Sequence, residues 1–270
     1  MKKLFLFALF AALCCSCTES GTDENPDPNG GSNSGQTTPP DPDPDPDPDP
    51  DAKDVIHVPE GGMLAGILNE LGLKSPSSLK LSGTLGVSDF TTLRNIQSLE
   101  HLDISRVNLS VLPTEAFLEC TNIKSVILPN TLTAIGTQAF WGSSLVSISI
   151  PASVETIEDQ AFEGCSLLAT VTFEKGSQLK TVDGFSNCTA LTTVDMSACT
   201  QVTRIEYRAF YEDSKLQLFK IGTRTPPSCG RNVFTGINSY SVLKVPAGCV
   251  DAYKNATGWK EFTTISELDE

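Results

Sequence analysis

The sequence predicts an α+β repeat solenoid, an array of stacked layers with a parallel strand face, short helical turns opposite it and capped ends. One phenylalanine returns every 22 to 25 residues, at Phe117, Phe140, Phe162, Phe185, Phe210 and Phe234. Alanine precedes four of these residues, and cysteine follows three of them by three positions. A fixed period of this length is typical of stacked units, because one unit alone cannot bury its apolar side chains.

The chain begins with a predicted lipoprotein signal peptide, residues 1–17. Two lysines precede an apolar run from Leu4 to Leu13, which is too short to span a bilayer as a helix. Ser16 is a small residue directly before Cys17, and this arrangement resembles a bacterial lipoprotein cleavage box. The resemblance implies that Cys17 carries the lipid. Cys15 remains an alternative, because Cys14 stands where the box normally has an aliphatic residue.

Residues 18–54 are predicted to form a disordered acidic spacer. Asp-Pro repeats from 41 to 50, and proline keeps each preceding residue out of the helical region. The segment holds eleven acidic residues and one basic residue, which gives −10 of the formal net charge of −14. The remainder of the chain is only mildly acidic and has no basic cluster, so nucleic acid is not an expected partner.

Each repeat is predicted to start with a short strand. Apolar residues alternate upstream of the phenylalanines, which is typical of half-buried strands: Val126 and Leu128, Ile148 and Ile150, Val171 and Phe173, Val194 and Met196, Leu243 and Val245. Two further apolar residues, three apart, lead into the Ala-Phe segment, as Val154 and Ile157 do. One repeat is therefore a strand, a turn, a second apolar contact and a short helical turn.

The unit from Ile150 to Cys165 resembles the BspA-type (Treponema pallidum-type) leucine-rich repeat, as does the unit from Leu128 to Phe140. The match covers about 100 to 235 and loosens where Gly184 replaces alanine. This resemblance implies leucine-rich repeats over 99–240, an N-terminal capping segment over 55–98 and a C-terminal cap over 241–270. It also implies a lipid-anchored protein on the outer membrane, at the surface of a Bacteroides-like cell.

The end segments are predicted to cover the terminal layers. Met63, Ile67, Leu68 and Leu71 have helical spacing, as expected of a capping helix. Tyr253, Trp259 and Phe262 are bulky enough to seal the other end, and a ligand-stacking patch is the alternative interpretation.

No pattern of residues indicates catalysis, a metal or another cofactor. The six cysteines after Cys17 lack a Cys-x-x-Cys pair, and we expect buried thiols, with a Cys165–Cys188 bridge as the alternative. The adjacent carboxylates Glu158-Asp159 and Glu212-Asp213 are expected to be solvated surface residues. We therefore predict that the chain is not an enzyme.

The predicted function is non-catalytic binding or adhesion to host or bacterial surface proteins, through the exposed strand face. Candidate contact residues are Lys124, Glu155, Arg204 and Lys244. A first alternative is a surface glycan-binding lipoprotein that serves a polysaccharide importer, with Trp141, Tyr207 and Tyr211 as stacking residues. An aligned pair of these aromatics on one face would favour it. A structural envelope protein is a second alternative.

Overall fold

A computed structural model describes residues 54–269. Within that range the strands, in chain order, are β1 (Val55–Val58), β2 (Ser78–Gly83), β3 (His101–Val107), β4 (Val111–Leu112), β5 (Ser125–Ile127), β6 (Ala134–Ile135), β7 (Ser147–Ile150), β8 (Thr156–Ile157), β9 (Thr170–Phe173), β10 (Thr181–Val182), β11 (Thr193–Met196), β12 (Arg204–Ile205), β13 (Leu218–Ile221), β14 (Ser228–Cys229), β15 (Val242–Val245) and β16 (Thr264–Glu267). The helices are α1 (Leu64–Glu70), α2 (Val87–Asn95) and α3 (Val250–Asn255), and Trp259–Glu261 forms a 3-10 turn.

The strands form three sheets in which every pairing between the described strands is parallel. The first sheet has the order β1-β2-β3-β5, and the second has the order β7-β9-β11-β13-β15-β16. The two sheets adjoin, because the backbone N–H of Val146 donates to the carbonyl of Lys124 at 3.1 Å. We call their combined outer surface the strand face. The third sheet has the order β4-β6-β8-β10-β12-β14 and consists of two-residue strands.

Equivalent residues stack in register from layer to layer. Along the second sheet, Ile148 pairs with Val171, which pairs with Val194, and all three are buried. The residues beside them, such as Ser149 and Thr172, point outward and are exposed. Because of this register, apolar residues at equivalent positions stack through the core, and polar residues at the neighbouring positions line up across the surface.

The recurring phenylalanines form a file inside the molecule. From Phe117 to Phe234, successive ring centroids are 5.1, 5.1, 4.7, 5.4 and 5.8 Å apart, and the rings lie within 14° of parallel. All six rings are buried. The predicted fold class, a repeat solenoid with a parallel strand face, is confirmed.

The Ala-Phe segments are hydrogen-bonded turns whose alternate amides reach the next layer. The N–H of Glu115, Phe117 and Glu119 donate to the carbonyls of residues 137, 139 and 141, at 3.0, 2.6 and 2.7 Å. The N–H of Ala116 and Leu118 instead close local turns. This alternation places Glu115 and Glu119 at positive φ, and the remaining non-glycine residues with positive φ occupy the equivalent positions, two before or two after a phenylalanine.

The second apolar contact of each repeat is a strand that the sequence pattern did not identify. Ile135, Ile157, Val182 and Ile205 belong to β6, β8, β10 and β12 of the third sheet. A two-residue strand is too short to show alternation, so its strand character follows only from its pairing with neighbouring layers.

The N-terminal helix buries only part of the side that its spacing indicated, where Leu68 is buried and Ile67 packs against the core. In α1 the buried residues are Leu64 and Leu68, whereas Met63 and Leu71 are exposed. The helix contacts the stack through this narrower stripe. Farther on, the Arg94 guanidinium donates to the carbonyls of Glu115 and Ala116, in the turn of the first Ala-Phe segment.

The C-terminal aromatic residues seal the last layer. Tyr253, Trp259 and Phe262 are buried, and the Phe262 ring lies 4.8 Å from that of Phe234. The indole N–H of Trp259 donates to the carbonyl of Pro227 at 2.9 Å. This geometry supports sealing rather than a ligand-stacking patch.

The predicted signal peptide, the lipidation site at Cys17 and the acidic spacer through residue 53 lie outside the described residues. Among the helices from residue 54 to 269, none has the length and hydropathy that crossing a membrane requires.

Candidate functional site

The strand face is rich in hydroxyl groups at its centre. The outward positions on β7, β9 and β11 are held by Ser147, Ser149, Thr170, Thr172, Thr193 and one charged residue, Asp195. Toward the C-terminal end the outward residues become charged and paired. The Lys220 ammonium lies 2.8 Å from the Asp195 carboxylate, and that of Lys244 lies 2.5 Å from Asp269.

Two of the four charged contact candidates belong to the strand face, and the other two belong to the third sheet. Lys124 directly precedes β5 and Lys244 lies on β15, so both belong to the strand face. Glu155 precedes β8 and Arg204 lies on β12, so these two belong to the third sheet. The structure therefore does not bring the four side chains together.

Each of these four side chains has an ion-pair partner. Besides the Lys244–Asp269 pair, the ion pairs are Lys124–Glu100 at 2.5 Å, Lys180–Glu155 at 2.6 Å and Arg204–Glu206 at 2.5 Å. The hydrogen bond and charge of Lys124 lower the pKa of Glu100. Exposed ion pairs of this kind contribute little to stability, so a ligand can replace one partner at small cost.

A cavity, which we call the notch, interrupts the regular stack on the side of the third sheet. It arises where one layer is shorter than its neighbours. Phe185 lies three residues after Val182, whereas Phe162 lies five residues after Ile157 and Phe210 lies five residues after Ile205. Two residues are therefore missing from the turn that ends at Phe185. The adjoining strands β8 and β10 pair only through Thr156 and Thr181.

Gly184 closes the shortened turn. Its φ is +85°, and a Cβ at this position would lie 2.3 Å from the Ala161 nitrogen. The Gly184 carbonyl accepts the interlayer hydrogen bond of Phe162 at 2.7 Å. Because glycine has no Cβ, the backbone of the shortened turn can approach the previous layer closely. The notch lies beside this turn.

The period of the phenylalanines conceals this deletion. Val154 follows Ile150 by four residues, but Leu179 follows Phe173 by six. The two residues missing from the turn are thus compensated by two extra residues in the preceding corner. Aligning every column of the repeat, rather than its phenylalanines alone, would have revealed the notch.

Carboxylates line one side of the notch. Asp159, Glu163 and Asp183 contribute them from two successive layers. Burial raises the pKa of Asp183 to about 6, opposed by the Gly184 N–H and reinforced by the charges of Asp159, Glu206 and Glu163. Side-chain amides accompany them, since Gln160 donates to Glu163 at 2.7 Å and Asn187 also lines the cavity.

Two tyrosines and an arginine form the other side. The Arg208 guanidinium lies 5.0 Å from the ring centroid of Tyr207 and 4.7 Å from that of Tyr211. Both distances are within the range of cation–π attraction. Two predicted contact residues, Tyr207 and Tyr211, therefore meet in one cavity. The third aromatic candidate, Trp141, lies in the turn after Phe140 and does not line it.

A buried carboxyl near the notch corrects the prediction that Glu212-Asp213 is solvated. Asp213 is fully buried. One oxygen accepts the N–H of Cys188 at 2.8 Å, and the other has no hydrogen-bond partner among residues 54–269. Burial raises the pKa of Asp213 well above its ordinary value, partly offset by that bond. Glu158 is also partly buried and accepts from Thr137 at 2.9 Å.

Asp213 occupies the column that cysteine fills in other layers. The thiols of Cys165 and Cys188 donate to the carbonyls of Phe140 and Phe162, at 3.0 and 3.2 Å. All six cysteines among the described residues are free, and all but Cys229 are buried. Burial raises the pKa of Cys199 to about 11, which keeps that thiol protonated at neutral pH. Over residues 54–269, no three His, Cys, Asp or Glu side chains are grouped as metal ligands.

The fold and this surface define a class of protein, the parallel-sheet repeat solenoid whose layers share buried columns. The family model of the BspA type leucine-rich repeat region matches residues 88–217 and 182–265, in six copies. The chain belongs to this family. It is a repeat-based interaction module, and its family is generally a non-catalytic binding scaffold whose members are typically surface-associated.

Solved structures of bacterial leucine-rich repeat proteins are similar to this chain. A leucine-rich repeat protein from Eubacterium ventriosum is 20% identical with a TM-score of 0.37, over 53% of this chain and 54% of that chain. This chain thus covers about half the length of that protein. A leucine-rich cell surface protein from Faecalibacterium prausnitzii is 16% identical with a TM-score of 0.30, over 72% and 73%. A leucine-rich repeat protein from Bacteroides ovatus is also 16% identical, with a TM-score of 0.27, over 72% and 82%. No curated protein matches the sequence.

Proposed function

We propose that this chain is a lipid-anchored protein of the outer membrane that binds host or bacterial surface proteins without catalysis. The strand face carries the contact. The observation that supports the binding role most is the set of outward Ser and Thr side chains across β7, β9 and β11, among which Asp195 is the one charged residue. These side chains are short, so a flat partner surface can approach them closely and bury a continuous area.

The scaffold beneath this face suits binding because it is held from both sides. Each central strand pairs with a strand in the layer before and in the layer after. Its inward side chains are buried in the common core. Little ordering is then needed when a partner docks, which lowers the entropic cost of association.

Ion pairs flank the centre of the strand face. Ser and Thr predominate at the centre, whereas the Lys124–Glu100 pair lies toward the N-terminal end and the Lys220–Asp195 and Lys244–Asp269 pairs lie toward the C-terminal end. A partner with a neutral hydrogen-bonding surface and a charged margin is complementary to this pattern. Rim charges of this kind influence association rate and orientation more than affinity.

The proposal is tested by placing bulk and charge on the strand face. Cells that display the full chain are assayed for binding to immobilised matrix, mucosal and bacterial surface proteins. Ser149→Arg together with Thr172→Arg is expected to reduce binding at least tenfold, because both outward positions lie on adjacent central strands. Binding by the wild type that depends on these two positions supports the proposal.

The matched control adds the same charge elsewhere. Thr200→Arg with Ser214→Arg changes two exposed residues outside the strands and is expected to bind as the wild type does. Equal binding by both double variants, or no binding of the wild type to any protein of the panel, contradicts a strand-face adhesion module.

A further inference from the structure

The notch has the size of a single six-membered ring. Its volume is about 140 Å³. A comparable apolar cavity of about 150 Å³ accommodates one benzene molecule. The notch therefore has room for one ring of a polymeric ligand, or for one side chain of a folded protein partner.

The polar groups of the notch both donate and accept hydrogen bonds. Asp159, Glu163 and Asp183 supply acceptors, whereas Arg208, Gln160 and Asn187 supply donors. A cation or a metal ion would need acceptors alone. A hydroxyl group both donates and accepts, so a ring that carries several hydroxyls uses both halves of this lining.

The tyrosines supply an apolar wall. Pyranose rings combine polar hydroxyls with C–H faces, and the rings of Tyr207 and Tyr211 are amphipathic in the same way. Tyr207 is 53% exposed, so a ligand can reach its ring. The guanidinium of Arg208 already lies over both tyrosine rings, so it occupies the place that a cationic ligand would take there.

The charge of the lining selects among sugars. Three carboxylates face one guanidinium, so an anionic sugar would be repelled. Burial raises the pKa of Asp183, and the charges of the neighbouring carboxylates add to this effect. A neutral sugar adds no charge and offers hydroxyl donors to these acceptors.

We infer that the notch is a binding site for one neutral pyranose ring of a glycan. The site lies beside the third sheet and is independent of the proposed protein contact on the strand face. Either site can be removed while the other remains, so the two proposals fail separately.

The test is saturation-transfer NMR on the purified full chain with free monosaccharides as probes. The panel contains glucose, galactose, mannose, N-acetylglucosamine, glucuronic acid and Nα-acetyl-arginine amide. Saturation transfer to at least one neutral sugar, and none to glucuronic acid, is expected. Tyr207→Ala and Asp183→Asn are each expected to weaken that binding at least tenfold.

Tyr240→Ala is the matched control, because Tyr240 is 85% exposed and lies outside the notch. This variant is expected to bind the sugar as the wild type does. The inference is overturned if no neutral sugar receives saturation, if Tyr207→Ala binds unchanged, or if Nα-acetyl-arginine amide binds in place of the sugars. The last result would identify the notch as a pocket for a cationic protein side chain.

Discussion

At the residue scale, the position of a side chain in a buried column explains why most apolar residues occur where they do. The residues that depart from these columns lead to testable effects on stability. Asp213 is the clearest exception, because it fills a column that holds cysteine in three other layers. Its second oxygen is buried without a hydrogen-bond partner in the part of the chain that the structure describes. The columns of phenylalanine and cysteine could be predicted from spacing. The burial of Asp213 could not, since a carboxylate in a turn is ordinarily solvated.

Replacing Asp213 with asparagine is expected to stabilise the protein by about 1 kcal/mol or more at pH 7, because it removes a buried group that ionises more readily in the unfolded chain than in the folded protein. The folded-state pKa is raised, so the folded protein binds the proton more tightly than the unfolded chain. The destabilisation by Asp213 should therefore diminish as pH falls toward about 4, and the advantage of Asp213→Asn should shrink with it. Urea unfolding between pH 4 and 8 measures this difference.

Asp195→Asn serves as the control, because the pKa of Asp195 is shifted in the opposite direction from that of Asp213. Burial alone would raise the pKa of Asp195, but its hydrogen bonds to Lys220 and Ser197 lower it. Its carboxylate stabilises the fold above the unfolded pKa and loses this effect as pH falls through the folded value. The substitution should cost less than about 1 kcal/mol at pH 7. An Asp213→Asn variant no more stable than wild type at any pH contradicts the assignment of Asp213.

At the element scale, the strands of the strand face could be predicted from the alternation of apolar and polar residues. The strands of the third sheet could not. Its strands have two residues each and acquire their conformation from neighbouring layers. The notch was missed for a related reason, because a corner insertion near Gly176 restored the period that the shortened turn had lost. Of its residues, only Tyr207 and Tyr211 were identified, as exposed aromatics; the acidic side depends on which layers meet.

Gly184→Ala is expected to destabilise the protein by clearly more than the roughly 1–2 kcal/mol of an unfavourable φ, because the new Cβ would overlap the backbone of Ala161. Gly176→Ala is the matched control. Gly176 has nearly the same φ, +84°, but nothing within 4 Å of its Cβ position. Thermal unfolding of the two variants separates the steric effect from the conformational one. Equal losses would show that the shortened turn does not press on the preceding layer.

At the scale of the whole molecule, an anchored spacer is proposed to present a rigid stack to the exterior. Cys17→Ala is expected to abolish acylation and move the full chain from the membrane to the soluble fraction. Labelling with radioactive palmitate and fractionation of the cells measure both effects. Cys15→Ala is the control and should remain acylated. Loss of labelling in Cys15→Ala, with Cys17→Ala unaffected, would assign the lipid to Cys15 instead.

The stack itself is the basis of every surface described above. Its layers are joined by interlayer amides such as those of Phe140 and Phe162, which donate to the next turn at 2.7 Å each. Layers coupled in this way are expected to open together rather than singly. The order of the layers follows from the sequence period, whereas the strength of their coupling depends on these backbone contacts.

Amide hydrogen exchange of the full chain tests this coupling most directly. The account predicts that the amides of Phe140, Phe162 and Phe185 exchange at one common slow rate, set by global unfolding. The amide of Lys175, which has no backbone hydrogen bond in its corner loop, should exchange rapidly. Exchange of Phe162 as fast as that of Lys175, or three separate rates for the phenylalanines, would contradict a single continuous stack.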